Sequence, residues 1–459
     1  MSNTNKMPNP GENKMGTMPI GRLLINMALP LMISMLVQAM YNVVDSIYVS
    51  RISESAVTAL SLAFPVQNLL IGFATGIGVG VNALLSKSLG EGNTDRANRC
   101  AGNGFFLVMI ATLAFVIFGA FFSRSYFRMQ STVAETVDGG SEYLAICTIF
   151  SLGLFVQVLG ERLLQSTGRA FYSMIVQLVG AVVNIILDPV FIFGQFGMPA
   201  MGIAGAAIAT VIAQWIAALL ALYLNHRVNH DLHITFKYMK PHSDVISPIL
   251  AVGVPSVIMM GIGSIMTFGM NQILQGFTET ATGVFGIYFK LQSFFFMPVF
   301  GINNATISII AFNYGARSSK RITETLRKAT LSAFTIMLLG VLSFQLFPDQ
   351  LLSIFNPTDD FLVMGRSALR IISLSFPLAA VGIALSASFQ ALGNGLYSTY
   401  TALCRQLIAL LPAAYLLSLS GNVNLVWWSF PIAELVSFLV TILLFARLYR
   451  KKITPLTHS

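Results

Sequence analysis

The chain has 459 residues, of which 55% are hydrophobic and 10% charged, and its mean hydropathy is +0.74. That composition excludes an ordinary soluble globular protein and places most of the chain in lipid. The formal net charge of +9 follows from membrane topology, as shown below, and excludes a nucleic-acid-binding reading.

A polar tail, residues 1–21, contains Pro, Gly and Asn but no apolar core of a cleavable signal peptide, so the first span is expected to act as the insertion signal. Apolar stretches long enough to cross a bilayer, about 20 residues as a helix, then follow near 23–48, 56–85, 101–122, 143–160, 170–194 and 200–224. A polar stretch, 225–245, carries most of the histidines and reads as a linker. Six more spans follow near 246–274, 281–312, 329–347, 367–389, 396–418 and 425–448, ahead of a basic tail, 450–459. Unpaired backbone groups are not tolerated in lipid, and uninterrupted apolar runs are not the alternating pattern of a barrel, so the spans are expected to be helices. The domain reading is an N-lobe over 22–224 and a C-lobe over 246–449.

Lys and Arg set the orientation. With the N-terminus inside, 21 basic residues fall on the inner segments and five (Arg51, Arg124, Arg128, Arg366, Arg370) on the outer ones, with Lys290 in the membrane. Both termini are therefore expected to be cytoplasmic in a multi-pass plasma-membrane (cell inner membrane) protein.

The two halves repeat at a fixed offset of 225 residues. Pro30 matches Pro255, Glu54 matches Glu279, Ala56 matches Ala281, Phe64 matches Phe289, Gln67 matches Gln292 and Gly76 matches Gly301. Gly90 and Gly315, Arg96 and Arg321, Gln165 and Gln390, and Gly168 and Gly393 keep the same register. Six spans per repeat make the repeats parallel, so the expected fold is an all-α polytopic membrane protein of 12 transmembrane helices in two six-helix lobes around a central cavity. Internal repeats of this kind are a hallmark of secondary transporters. One chain holds a whole pathway, which implies a monomer.

No Gly-x-x-x-x-Gly-Lys-[Ser/Thr] loop occurs, so ATP is not expected to drive the protein directly. Gly76, Gly78 and Gly80 lie inside a span with no strand before them and read as close helix packing. Catalytic and paired-cysteine metal motifs are missing, which points away from an enzyme and from a cofactor. Cys100, Cys147 and Cys404 are odd in number and scattered, so they are expected to be reduced. His226, His230 and His233 read as a hydrated linker.

Ionisable residues inside spans are expensive and mark function. Asp45 ends the first span, Asp188 lies in the fifth, Lys290 in the eighth, Arg405 in the eleventh and Glu434 in the twelfth. At about 1.5 Å per residue, Asp45 and Asp188 lie roughly 33 Å and 27 Å along their helices, both in the outer half. Asn184 and Asp188 are four apart and share one helix face. Pro189 frees a carbonyl about one turn earlier, and Thr210 falls at comparable depth in the sixth span. Two carboxylates, an amide and a hydroxyl suit a hard cation such as Na+ or a shared proton. Lys290, Arg405 and Glu434 are expected to form a buried charge network in the C-lobe, structural or gating in role.

Over essentially its full length the chain resembles the multidrug and toxic compound extrusion (MATE) family, in its MepA-like bacterial branch. The carrying pieces are Ala28-Leu-Pro, Gln38 to Asp45, Gly90-Glu-Gly-Asn, Gln165-Ser-Thr-Gly, Asn184 to Pro189, Gly205-Ala-Ala-Ile-Ala-Thr, Asn313-Tyr-Gly-Ala and Gln390-Ala-Leu-Gly-Asn. The resemblance implies antiport of amphipathic, often cationic compounds against Na+ or H+, with multidrug efflux and antibiotic resistance as its outcome. It also implies an N-lobe cation or proton site on Asp45, Asn184, Asp188 and Thr210, with Gln38 and Tyr41 facing the same cavity. Some members place cation-binding acids on the seventh and tenth helices. This chain has none over Val254 to Gln275 or Leu369 to Gln390, so no C-lobe cation site of that kind is expected. The alternative reading is a flippase for a lipid-linked saccharide or another amphipathic metabolite, as in the wider superfamily.

Overall fold

The structure, a computed structural model, describes residues 13–233, 235–355 and 358–457. Among them there is no strand. Ten helices are long and apolar enough to cross a membrane, and two helix pairs, bent by 46° and 47°, each qualify as one further span. In chain order the spans are α1 (Ile20–Ser50), α2 (Glu54–Gly90), α3 (Thr94–Phe121), the bent α4 (Ala134–Ile149 and Leu152–Ser166), α5 (Ala170–Phe193) and α6 (Gly202–Val228). The second half gives α7 (Ser243–Gln275), α8 (Glu279–Gly315), α9 (Ser319–Leu346), the bent α10 (Asp359–Ser373 and Phe376–Ala391), α11 (residues 395–418) and α12 (Ser429–Leu448). A stretch of α11, Cys404–Leu410, is π-helical.

The 225-residue repeat recurs in backbone detail. Ser53 Oγ accepts from the Ala56 N–H at 3.1 Å and caps α2, and Thr278 Oγ1 accepts from the Ala281 N–H at 3.1 Å and caps α8. Such caps satisfy helix-end donors that nothing else would reach. The turn after α4 closes with Arg169 N–H to Leu164 O, and its copy after α10 with Asn394 N–H to Phe389 O, both 2.7 Å. That turn needs a left-handed residue, and Gly168 (φ +81°) and Gly393 (φ +75°) supply it without a Cβ penalty.

The fourth and tenth spans run from 134 to 166 and from 359 to 391, longer than the apolar windows 143–160 and 367–389. Polar residues such as Glu142, Glu161, Arg162 and Gln165 kept those windows short, although they sit on helix. Arg162, counted above with the cytoplasmic rim, is only 7% exposed inside α4. The linker is also shorter than 225–245, because α6 runs to Val228 and α7 starts at Ser243. It docks on α3: the His233 and His242 N–H groups donate to Asn98 Oδ1 (2.8 Å) and Asn103 Oδ1 (2.9 Å).

The lobes meet where helices approach closely over glycines. A Cβ built at Gly76 on α2 would stand 2.6 Å from Val257 Cγ2 and 2.7 Å from Gly253 O on α7, and one at Gly301 on α8 would stand 2.6 Å from Met32 N on α1. Only glycine permits this, and tight packing is what holds helices together in lipid. Polar pairs join the same seam: Arg162 donates to Asn304 Oδ1 (3.0 Å), Ser308 to Asn82 Oδ1 (3.0 Å) and Asn68 to Ser264 Oγ (2.9 Å). The Asn68–Ser264 bond lies near mid-height, and the other contacts occupy the half of the molecule that carries the N-terminus, involving the start of α1, the end of α2, the start of α7 and the end of α8. In the other half, Thr58, Ser61 and Pro65 of α2 and Gly283, Gly286 and Lys290 of α8 are exposed, so a cleft opens between the lobes there.

Candidate functional site

Helix α5 carries the centre of the N-lobe site. Its four-residue spacing stacks Asn184 and Asp188 on one inward face, 2% and 0% exposed. A buried carboxylate needs partners, and the Asn184 amide supplies one. Oriented to satisfy both neighbours, its nitrogen donates to Asp188 Oδ2 at 3.1 Å, and its oxygen accepts from Thr210 Oγ1 at 3.3 Å and the Thr210 N–H at 3.2 Å. Pro189 follows within the same helix. It removes one backbone donor and so leaves a carbonyl one turn earlier without its helical partner.

Helix α1 brings the second carboxylate. Asp45 is half-buried near the end of α1, close enough for its charge to act on Asp188. One turn before it, Tyr41 lies near Thr210 and within electrostatic reach of both acids. Gln38 turns its Oε1 to α5, accepting from Gln177 Nε2 at 2.9 Å. The fold thus gathers Gln38, Tyr41, Asp45, Asn184, Asp188, Pro189 and Thr210 into one lobe. Carboxylate, amide, hydroxyl and carbonyl oxygens form a hard donor set that fits Na+ as well as a proton. Among the described residues no three His, Cys, Asp or Glu side chains converge, consistent with His226, His230 and His233 lying apart from the site.

Sequence reasoning missed the other wall of this site. Gln67 of α2 donates to the Tyr143 hydroxyl at 2.7 Å, Cys147 contacts both, and the charge of Asp45 reaches Tyr143 and Cys147. These groups are neutral, so no charge in a span advertised them. The match of Gln67 to Gln292 in the repeat was the one available signal. A second missed network lies in α4: Gln157 donates to Glu161 Oε1 (3.0 Å), Arg162 to Gln165 Oε1 (3.0 Å), and Gln165 to Ser173 Oγ (2.9 Å).

In the C-lobe the expected three-residue network is reduced to a pair. Arg405, on the π-helical stretch, donates to Glu434 Oε1 at 3.4 Å, with side chains 27% and 14% exposed, and Tyr288 lies within reach of both charges. Lys290 is exposed and takes no part in it. Two residues after Tyr288, it points to a different face of α8, since successive helical residues turn by about 100°. Cys100, Cys147 and Cys404 are free thiols.

The MatE family model matches residues 30–190 and 255–416, two segments whose starts are 225 residues apart. The chain is similar to the probable multidrug resistance protein YoeA of Bacillus subtilis (strain 168), with 27% identity over 92% of this chain and 93% of that protein. It is 24% identical to the multidrug export protein MepA of Staphylococcus haemolyticus (91% of each chain) and 24% identical to an FAD transporter of Shewanella oneidensis (91% of this chain, 92% of that one). Among solved structures, the outward-facing conformation of a multidrug resistance MATE family transporter of the MOP superfamily aligns with a TM-score of 0.91 at 26% identity, over 99% of this chain and 100% of that one. A MATE structure in complex with MaL6 aligns with a TM-score of 0.90 at 26% identity, covering 97% and 99%.

Proposed function

Because the chain belongs to the MatE family, we propose that it is a secondary active antiporter, exporting amphipathic, mainly cationic compounds in exchange for H+ or Na+ by alternating access. The observation that carries this reading is the N-lobe cluster. Asp188, fully buried in a lipid-embedded lobe, is held by Asn184, itself bonded to Thr210, with Asp45 near enough for its charge to be felt. A charge in that position is costly unless it binds something, and a cation arriving from the cleft would neutralise it. Neutralisation changes how α1, α5 and α6 pack, and so shifts the balance between outward-open and inward-open states.

The lobes are closed at the N-terminal end and open at the other. With cytoplasmic termini, as the basic residues favour, this is the outward-open state, which accords with the alignment to an outward-facing relative. The proposed unit is a monomer, since each chain holds both lobes. A flippase for a lipid-linked saccharide would need a strongly cationic cavity for its diphosphate. Of the basic residues singled out in the C-lobe spans, Arg405 is committed to Glu434, which leaves Lys290 alone. Ethidium export from membrane vesicles holding the protein, against vesicles lacking it, tests the reading. No export of ethidium or other varied cations, together with translocation of a lipid-linked diphosphosaccharide, would replace the antiporter with the flippase.

A further inference from the structure

Glu161 is a buried acid that the antiport reading leaves unused. It lies on the second half of α4 and is 9% exposed. Among the described residues its hydrogen-bond partner is Gln157, which donates at 3.0 Å, and it belongs to none of the ion pairs. Arg162, its neighbour in sequence, is committed elsewhere, to Gln165 Oε1 and, across the seam, to Asn304 Oδ1. A carboxylate charge shut away from water is costly unless it binds something.

A polar stripe leads from the outer acids to Glu161. At about 100° per residue, Ser173, Gln177, Asn184 and Asp188 of α5 fall within about 60° of one another. Gly180 interrupts the stripe on the same side, and Gln157 lies against the gap: a Cβ built at Gly180 would stand 3.7 Å from Gln157 Nε2, the atom that donates to Glu161. From Asp188 to Gly180 and on from Gln157 to Glu161, the stripe descends roughly 18 Å toward the closed end. The internal repeat shows that these residues come as a set. Its offset places Gly382, Ser386, Ala402, Ala409 and Ala413 where the N-lobe has Gln157, Glu161, Gln177, Asn184 and Asp188. Gln165, Gly168 and Ser173 keep their copies in Gln390, Gly393 and Ser398, so the turn does not require the acid. The lobe that lacks the outer acid also lacks Glu161.

Arg162 is the residue whose charge reaches Glu161. Helices α2, α3, α5, α6 and α8 pack against this half of α4. Level with Glu161, α2 and α8 bring the uncharged Gly78 and Asn304. From α3 come Cys100, bonded to Val81 O, and Arg99, paired with Asp95. Helix α5 brings Tyr172, and α6 brings Tyr223, His226 and Arg227, all three exposed. Past the end of α4, Arg169 pairs with Asp231, and Lys14 lies against Gly168. Glu161 thus sits directly behind the Arg162–Asn304 bond that joins the lobes.

We propose that Glu161 is a second proton-binding site, the group from which the coupling proton leaves for the cytoplasm after the outer acids have taken it up from the cleft. A single carboxylate with one amide donor suits a proton, whereas a metal cation asks for several oxygens at once. When the closed end opens, the Arg162–Asn304 bond breaks and water reaches the carboxyl group. Its proton passes to that water, and the carboxylate left behind has the charge of Arg162 beside it. The outer acids load the ion and Glu161 unloads it. This rests on the antiport reading, and the test keeps the two apart.

Wild type, Glu161→Gln and Glu161→Asp are compared in proteoliposomes in two modes. One is ethidium export driven by an imposed H+ gradient, with an Na+ gradient as the comparison. The other is counterflow, in which ethidium exchanges for ethidium without net ion movement. Wild type should run both, with H+ as the driving ion. Glu161→Gln should lose at least tenfold in driven export yet keep more than half of the counterflow, and Glu161→Asp should regain at least a third of the driven rate. A smaller loss of driven export in Glu161→Gln, counterflow lost along with it, no recovery in Glu161→Asp, or a wild type driven by Na+ alone would overturn the assignment while leaving the antiporter standing. A wild type that exports ethidium under neither gradient would remove the antiport reading, and this assignment with it.

Discussion

Gly76→Ala should loosen the closed end of the transporter while leaving each lobe folded. A Cβ there would stand 2.6 Å from Val257 Cγ2 and 2.7 Å from the Gly253 carbonyl oxygen across the seam, well inside ordinary contact. Val257 is β-branched and stiff, and the Gly253 oxygen is backbone, so neither neighbour yields cheaply. Overpacking of this kind costs about 1–3 kcal/mol, and the cost applies only while the lobes touch. The gain in helix propensity from Gly to Ala, about 0.5–1 kcal/mol, is common to both states and cancels. The outward-open to inward-open ratio should therefore fall roughly 5- to 150-fold. Nitroxide labels at Asp95→Cys and Lys320→Cys, exposed repeat-equivalent positions on the two lobes, in a background with the native cysteines replaced, report the separation by pulsed electron resonance. A new, longer distance should appear in Gly76→Ala and not in Gly261→Ala, whose Cβ meets nothing within 4 Å. An unchanged distribution in Gly76→Ala, or the same shift in both variants, would refute the reasoning.

The N-terminal segment should act on the same equilibrium. Arg321 donates to the Met15 and Met18 carbonyls (2.9 and 2.8 Å), Asn313 to Met15 O (3.2 Å), and the Met15 side chain is fully buried; with these charged bonds lost, about 1–2 kcal/mol after screening, Arg321→Ala should populate the longer label distance, and no change would mean that the segment is passive. Asn184→Ala leaves the buried Asp188 without its amide donor, and ion-driven ethidium export should drop at least tenfold at normal protein yield; retention of more than half would exclude this cluster from coupling. Arg405→Ala strands Glu434, a loss of about 3 kcal/mol or less because Arg405 is 27% exposed, and should lower the thermal midpoint. The Arg405→Gln, Glu434→Gln double variant should recover most of it, and additive losses would show that the two side chains are not coupled.

Much of this architecture was legible because lipid imposes few solutions. Apolar length revealed ten straight spans, and the repeat gave the two lobes; the matched caps at Ser53 and Thr278 became visible only in the structure. The bent spans were read short, because length was judged by an apolar window while α4 and α10 carry polar residues on buried helix. Arg162 shows why: a residue count assigns an arginine near a span end to water, whereas here it reaches across the seam to Asn304. At the site, the Asn184–Asp188 spacing and Pro189 were visible as one helix face. Tyr143, Gln67, Cys147 and Gln177 were not, since neutral polar residues carry no penalty large enough to stand out. The expected Lys290–Arg405–Glu434 network failed on rotation, for a charge inside a span does not reveal which side of the helix it faces.

The most direct test of the central claim uses purified protein in proteoliposomes, with H+ and Na+ gradients imposed separately and ethidium movement followed for wild type, Asp45→Asn and Asp188→Asn. The account predicts that one gradient drives wild-type exchange, and that both substitutions abolish the drive although the lobes remain folded, because the charge that the ion neutralises is gone. Gradient-driven exchange that survives in both variants would contradict it, moving coupling out of the N-lobe cluster.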